Sequence, residues 1–190
     1  MDMIRAIFAV AFAASVSGAQ AAPVPAPGAA DVAFMQGMIA HHRQAIEMAA
    51  LIGARTENAT LKSLGERIDV SQKDDIGMMQ RWLRAHHAAV PDPLAPEHAG
   101  MRMDHVMMPG MLTADQMAAL ANASGAEFDR LFLAGMIQHH QGAITMVKEL
   151  FATTGAAQAT DIFRFASDVD GDQRAEIARM RALLDGVRRK

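Results

Sequence analysis

The chain of 190 residues carries a formal charge of −3, sixteen methionines, and neither cysteine nor tyrosine. That near-neutral balance offers no electrostatic basis for binding nucleic acid or an anionic membrane surface. Without cysteine there are no disulfides and no thiolate ligands, so packing must supply stability and methionine any sulfur donor.

The N-terminus reads as an address label. Met1–Arg5 and an apolar run over 6–16 precede Ala19-Gln20-Ala21, the small-x-small pattern of a signal-peptidase site. Cleavage is expected after Ala21, because a cut after Ala22 would leave Pro23 at the first mature position. The run is shorter than the roughly 20 residues of a membrane span, and no cysteine follows it to carry a lipid. A periplasmic or secreted protein without a membrane anchor is expected once residues 1–21 are removed. Residues 22–30, with Pro23, Pro25 and Pro27, form a flexible leader.

The first helix is expected from Asp31 as N-cap to about Gly53. A second runs from about Asn58 to His87 on the stripe Leu61, Leu64, Ile68, Ile76, Met79 and Leu83. Pro91, Pro93 and Pro96 open a crossover over 88–124, in which Thr113-x-x-Gln116 caps a short extra helix. Ser124-x-x-Glu127 reads as another capping box, opening a third helix that continues towards Gly155. Thr160 or Asp161 caps a fourth, ending near Val187. No segment reads as a strand.

A sixteen-residue segment occurs twice in this frame. Residues 34–49 recur 98 positions later as 132–147, identical at nine positions that include a Met, a His-His pair and a second Met. The second-helix stripe recurs at an offset of 101 as Ile162, Phe165, Val169, Ile177, Met180 and Leu184. A helical hairpin cannot bury its apolar face alone. The predicted fold is therefore all-α over 31–187: a four-helix bundle, ferritin-like in appearance, built from hairpins 31–87 and 125–187.

At about 100° per residue, His41 and His42 flank the centre of the first helix's buried stripe, and Met38 lies within one turn of both. Met136, His139 and His140 repeat the pattern. Shared Phe, Ile and Ala need only a common core, but a core does not require two adjacent imidazoles in both copies. Imidazole with thioether suits a soft or borderline transition metal, copper first. The candidate ligands are Met38, His41, His42, Met48, Met136, His139, His140 and Met146. Gln72 and Gln173 interrupt the partner stripes, with Asp75 and Glu176 one turn on. These four are candidates to orient the imidazoles as outer-shell acceptors.

The crossover carries a second cluster: His98, Met101, Met103, His105, Met107, Met108 and Met111 fall within fourteen residues. Thioethers on a loop have no helix core to fill and can gather around Cu(I) or Ag(I). A hydrophobic lid over the helices is the competing explanation. No Glu-x-x-His di-iron pair, His-Glu-x-x-His or Gly-x-Ser-x-Gly occurs, and no nucleophile is nominated, so an enzyme is not expected.

The segments 34–48, 108–117 and 127–146 together resemble the domain-of-unknown-function family with serial number 305, over roughly 31–187. Members include CopM-type periplasmic copper-binding proteins with helical-bundle folds. The resemblance implies copper as the bound metal, a role in copper tolerance, and an unidentified delivery or efflux partner. The paired His and Met residues match its motif directly, while the loop cluster rests on chemistry alone. Gln44, where the second copy has Gly142, departs from the repeat and implies that the two halves are inequivalent. Two readings compete with copper sequestration: a metal-free interaction module with a His/Met core, and a cuprous oxidase.

Overall fold

The computed structural model describes residues 27–91, 102–103 and 106–187. The expected signal peptide and most of the leader lie outside these residues, as do His98, Met101 and His105; for Met103 only the backbone is described. Six helices follow in chain order: α1 (Ala29–Ala50), α2 (Ile52–Arg55), α3 (Ala59–Ala85), α4 (Ala114–Asn122), α5 (Gly125–Ala152) and α6 (Thr160–Val187). Between α3 and α4, β1 (Arg102–Met103) pairs antiparallel with β2 (Val106–Met107). This two-residue ladder is the extended pairing that the sequence did not suggest; the regular structure among the described residues is otherwise all-helical.

Several helix ends differ from expectation for identifiable reasons. Helix α1 starts ahead of Asp31, whose carboxylate reaches back to accept the Gly28 N–H at 3.0 Å. Asp31 therefore works as the third helical residue, as an acid in the first turn can. A break at Leu51 detaches the expected last turn of α1 as α2. Asn58 caps α3 through Thr60 and Leu61, and Thr113 with Gln116 forms the expected box on α4. Ser124 precedes α5 without a side-chain cap, and the Glu127 carboxylate, which would complete the box, pairs with Arg130 (2.6 Å). Thr160 and Asp161 lie inside α6, where Asp161 accepts from the Trp82 indole at 2.8 Å.

Helix α1 packs along α3, α5 along α6, and α1 crosses to α5. The predicted stripes are what these helices bury, Ile76 only in part. Leu61, Leu64, Ile68, Met79 and Leu83 are enclosed on α3, as are Ile162, Phe165, Val169, Ile177, Met180 and Leu184 on α6. Two apolar clusters each draw on α1, α3, α5 and α6, one around Phe34 and Phe165, the other around Phe128 and Phe132. Polar ties link the two helix pairs at their ends. Asp31 accepts the Ala157 N–H at 2.7 Å, and Asn58 donates to Asp129 at 2.8 Å. The middle of the stack is left to the duplicated motif.

Candidate metal centre

His41 and His42 on α1, and His139 and His140 on α5, are all buried, none more than 1% exposed. The rings of His41 and His139, equivalent positions of the repeat, pack with centroids 3.9 Å apart and planes inclined by 39°. Each imidazole directs Nε2 at an oxygen. His41 faces the Pro109 carbonyl (3.0 Å), His42 the Asp75 carboxylate (3.2 Å), His139 the His41 carbonyl (2.9 Å) and His140 the Glu176 carboxylate (2.5 Å). Carbonyl and carboxylate oxygens only accept, so this network assigns the proton to Nε2 in every ring. The lone pair then resides on Nδ1. In His41, His42 and His140 that atom is buried without a partner among the described residues.

Burial disfavours the protonated form of three of the rings, His41, His139 and His140. Burial, reinforced by the neighbouring His42, lowers His41 to about 3, with the Pro109 carbonyl opposing. Burial and the surrounding imidazoles pull His139 well below the ordinary range. His140 is lowered by burial too, although Glu176 works against the shift. A neutral imidazole with a free Nδ1 is the form that ligates a metal.

Of the four residues expected to face the imidazoles from the partner helices, Asp75 and Glu176 do so, on equivalent rings. Gln72 and Gln173 are also buried at equivalent places, but their Oε1 atoms have no partner among the described residues. Periodicity placed all four on the right face; reach one turn further along selects the carboxylates.

A strap over Met108–Leu112 crosses this centre, and it explains why the repeat is imperfect. Gln44 grips Leu112 twice, accepting its N–H at 2.8 Å and donating to its carbonyl at 3.0 Å. At the equivalent position Gly142 lets the strap backbone in: a β-carbon there would lie 1.9 Å from the Pro109 oxygen. Gln138 donates towards the Gly110 and Met111 carbonyls at 3.4 Å, whereas its counterpart Ala40 packs against Met108 and Met111. Gly110 itself holds φ +75°, the left-handed region that glycine adopts without a Cβ penalty. The Pro109 carbonyl, Gln138 and Ala40 were not singled out from sequence. Their signal was available as a second polarity mismatch, Ala40 against Gln138, inside a well-matched repeat.

The methionines divide. Met38, Met48 and Met136 are fully enclosed in the apolar clusters, while Met146 is half-buried. Met108 and Met111, on the strap itself, are buried, and Met107 is 42% exposed. Among the described residues no three His, Asp or Glu side chains converge as a metal-binding group.

The family model described as Domain of unknown function (DUF305) matches residues 31–184. A DUF305 fragment from Deinococcus radiodurans is 30% identical, with a TM-score of 0.71 over 85% of this chain and 99% of that one. A DUF305 protein from Streptomyces coelicolor is 29% identical, with a TM-score of 0.70 over 83% and 93%. CopM in its Cu(II)-bound form is 30% identical, with a TM-score of 0.65 over 82% and 96%. No curated protein matches the chain.

Proposed function

The chain belongs to the DUF305 family, and from that premise we propose that it is a copper-binding protein of the periplasm or cell exterior. Copper is its cargo, held as Cu(I) or Cu(II) for sequestration or transfer, and the physiological outcome is copper tolerance. The observation that carries this reading is the set of buried imidazoles whose Nε2–H groups are engaged and whose Nδ1 atoms on His41, His42 and His140 have no partner among the described residues. Orienting a ligating His through its other nitrogen is how protein metal sites fix tautomer and direction. In this proposal Asp75, Glu176 and the Pro109 carbonyl do that work, and Gln72 and Gln173 are polar neighbours in the same layer. Met38, Met48, Met136 and Met146 stand within the same repeated motifs. CopM, solved in Cu(II)-, Cu(I)- and silver-bound forms, supports the choice of metal.

The proposal extends to architecture and address. The two helix pairs are duplicated hairpins of one four-helix bundle, related by a pseudo-two-fold axis between His41 and His139. The signal peptide is removed after Ala21, and no helix among the described residues is long and apolar enough to cross a membrane. No catalytic turnover is included; oxygen consumption on addition of Cu(I) would instead favour a cuprous oxidase.

A metal-free module whose histidines merely build a core is the competing reading. It accounts for the satisfied Nε2 atoms but leaves three buried Nδ1 atoms without a purpose, each a desolvated acceptor that costs stability. Anaerobic Cu(I) competition and aerobic Cu(II) titration decide between them. Copper binding by the purified protein, lost for Cu(II) when His41, His42, His139 and His140 are replaced, is expected. A protein that folds and takes up neither ion would overturn the proposal.

A further inference from the structure

We propose that a cleft at the Asn58–Asp129 end of the helix stack binds a small organic amine, whose ammonium group meets the unpaired oxygen of Asp129. The inference is independent of the copper-binding reading.

Asp31 and Asp129 stand 98 positions apart, the offset that relates the two motifs. They are 3% and 6% exposed, and each ties one helix pair to the other. Their oxygens fare differently. Asp31 is satisfied twice by backbone, Oδ2 accepting the Gly28 N–H at 3.0 Å and Oδ1 the Ala157 N–H at 2.7 Å. Asp129 has Oδ2 occupied by the Asn58 side-chain amide at 2.8 Å, while its buried Oδ1 has no donor among the described residues. The reason lies in the turn. Thr56 precedes Ala157 by 101 positions, the offset of the partner helices, but its N–H donates to the Ile52 carbonyl at 3.2 Å and ends α2. The backbone donor that closes one end of the molecule is thus engaged within its own hairpin at the other.

Beside Asp129 a cleft of about 470 Å³ is lined by Asn58, Leu61, Leu133, Leu183 and Val187. That lies within the ordinary range of small-molecule sites, about 300–1,000 Å³. Asp129 is the one charged residue among those described as lining it. A desolvated carboxylate oxygen without a donor is costly, and a ligand that brings a positive donor removes the penalty. Three features narrow the class of that ligand. With Oδ2 held by Asn58, one oxygen is open, which suits the point charge of an ammonium better than a guanidinium fork that engages two. The lining supplies too few oxygens for a hard metal cation, which takes about six or more. Asn58 Oδ1 is already committed to the Thr60 and Leu61 N–H groups, which also caps the positive end of α3. Helix α6 ends here, at Gly186 and Val187, without a basic residue in its last turn, so the negative end of its dipole favours a cation too. The leucine and valine walls call for an apolar body on the amine.

The test is titration of cyclohexylammonium into the purified metal-free protein, followed by backbone amide resonances. Saturable shifts are expected at Asn58, Thr60, Leu61, Leu183, Gly186 and Val187. Cyclohexanol, similar in size but uncharged, should bind at least about tenfold more weakly, the scale of one charge-assisted hydrogen bond. Asp129→Asn should weaken amine binding by a similar factor. Leu183→Trp, filling the half-buried rim, should block entry, and it covers the case in which Asp129→Asn unfolds. Glu127→Gln, which removes an exposed carboxylate two residues away, should change nothing. Equal affinity for amine and alcohol, a Glu127→Gln loss matching that of Asp129→Asn, or no saturable shift would overturn the proposal. So would binding that appears only after Arg188, Arg189 and Lys190 are changed to Gln, because those residues would then be the occupant.

Discussion

The imidazoles of His41 and His139 pack ring against ring at 3.9 Å, and the Nε2–H of His139 donates to the backbone carbonyl of His41. Two copies of one motif therefore meet at the same residue type, but not as mirror images. His41 turns its own Nε2 outward to the strap at Pro109. The strap crosses a near-symmetric pair of helices once, so it must treat the two sides differently. Gln44 opposite Gly142, Gln138 opposite Ala40, and Met108 opposite Leu112 are the chemical record of that crossing.

Stability without metal should fall on acidification. His41 and His139 have folded pKa values depressed below the ordinary 6.5. Above that value both states are neutral and the groups impose no penalty. Below it the unfolded chain takes up protons that the folded chain refuses, so stability is lost progressively between about pH 6.5 and the folded value near 3 for His41. The loss should reach a few kcal/mol for His41 alone, on the order of 1.4 kcal/mol per pKa unit. Urea unfolding of the apoprotein at pH 7, 5 and 4 measures it; a flat profile would mean that the rings are not buried neutral.

Glu176→Gln and Asp75→Asn should lower copper affinity unequally. Each keeps an acceptor oxygen opposite its imidazole but removes the charge. Losses of about tenfold to a hundredfold are typical for such outer-shell partners. Glu176 is the more deeply buried carboxylate, its side chain 10% exposed against 35% for Asp75, so solvent screens it less and its loss should be larger. Chelator competition on the two variants reads the order directly.

Gly142→Ala should loosen the strap. In a helix interior alanine is ordinarily better than glycine by about 1 kcal/mol. Here its methyl would collide with the Pro109 oxygen, and overpacking costs about 1–3 kcal/mol. Net destabilisation is expected, with faster amide exchange at Met111 and Leu112. A raised melting temperature would show that the strap is not held where it is described.

The helices were legible because Leu61, Leu64 and Ile68 and their repeats set a period that only a buried helical face satisfies. The imidazole face was legible because duplication marks His41, His42, His139 and His140 against a background of ordinary core residues. What escaped did so for separate reasons. Pro109 contributes through a backbone carbonyl, which has no side-chain signature, and Asp75 was separable from Gln72 only by reach. Ser124-x-x-Glu127 does not close as a capping box: Ser124 makes no side-chain cap, and Arg130, three residues on, takes the Glu127 carboxylate.

The central claim is that copper is taken by Nδ1 of these buried imidazoles while Nε2–H stays with its oxygen acceptors. Titration of ¹⁵N-histidine-labelled protein with Cu(I) under anaerobic conditions tests it most directly, because Cu(I) is diamagnetic and the two ring nitrogens resolve. The account predicts displacement of the Nδ1 resonances of at least one repeat-related pair, with the Nε2–H signals retained. Copper bound with every ring nitrogen of His41, His42, His139 and His140 unmoved would contradict it.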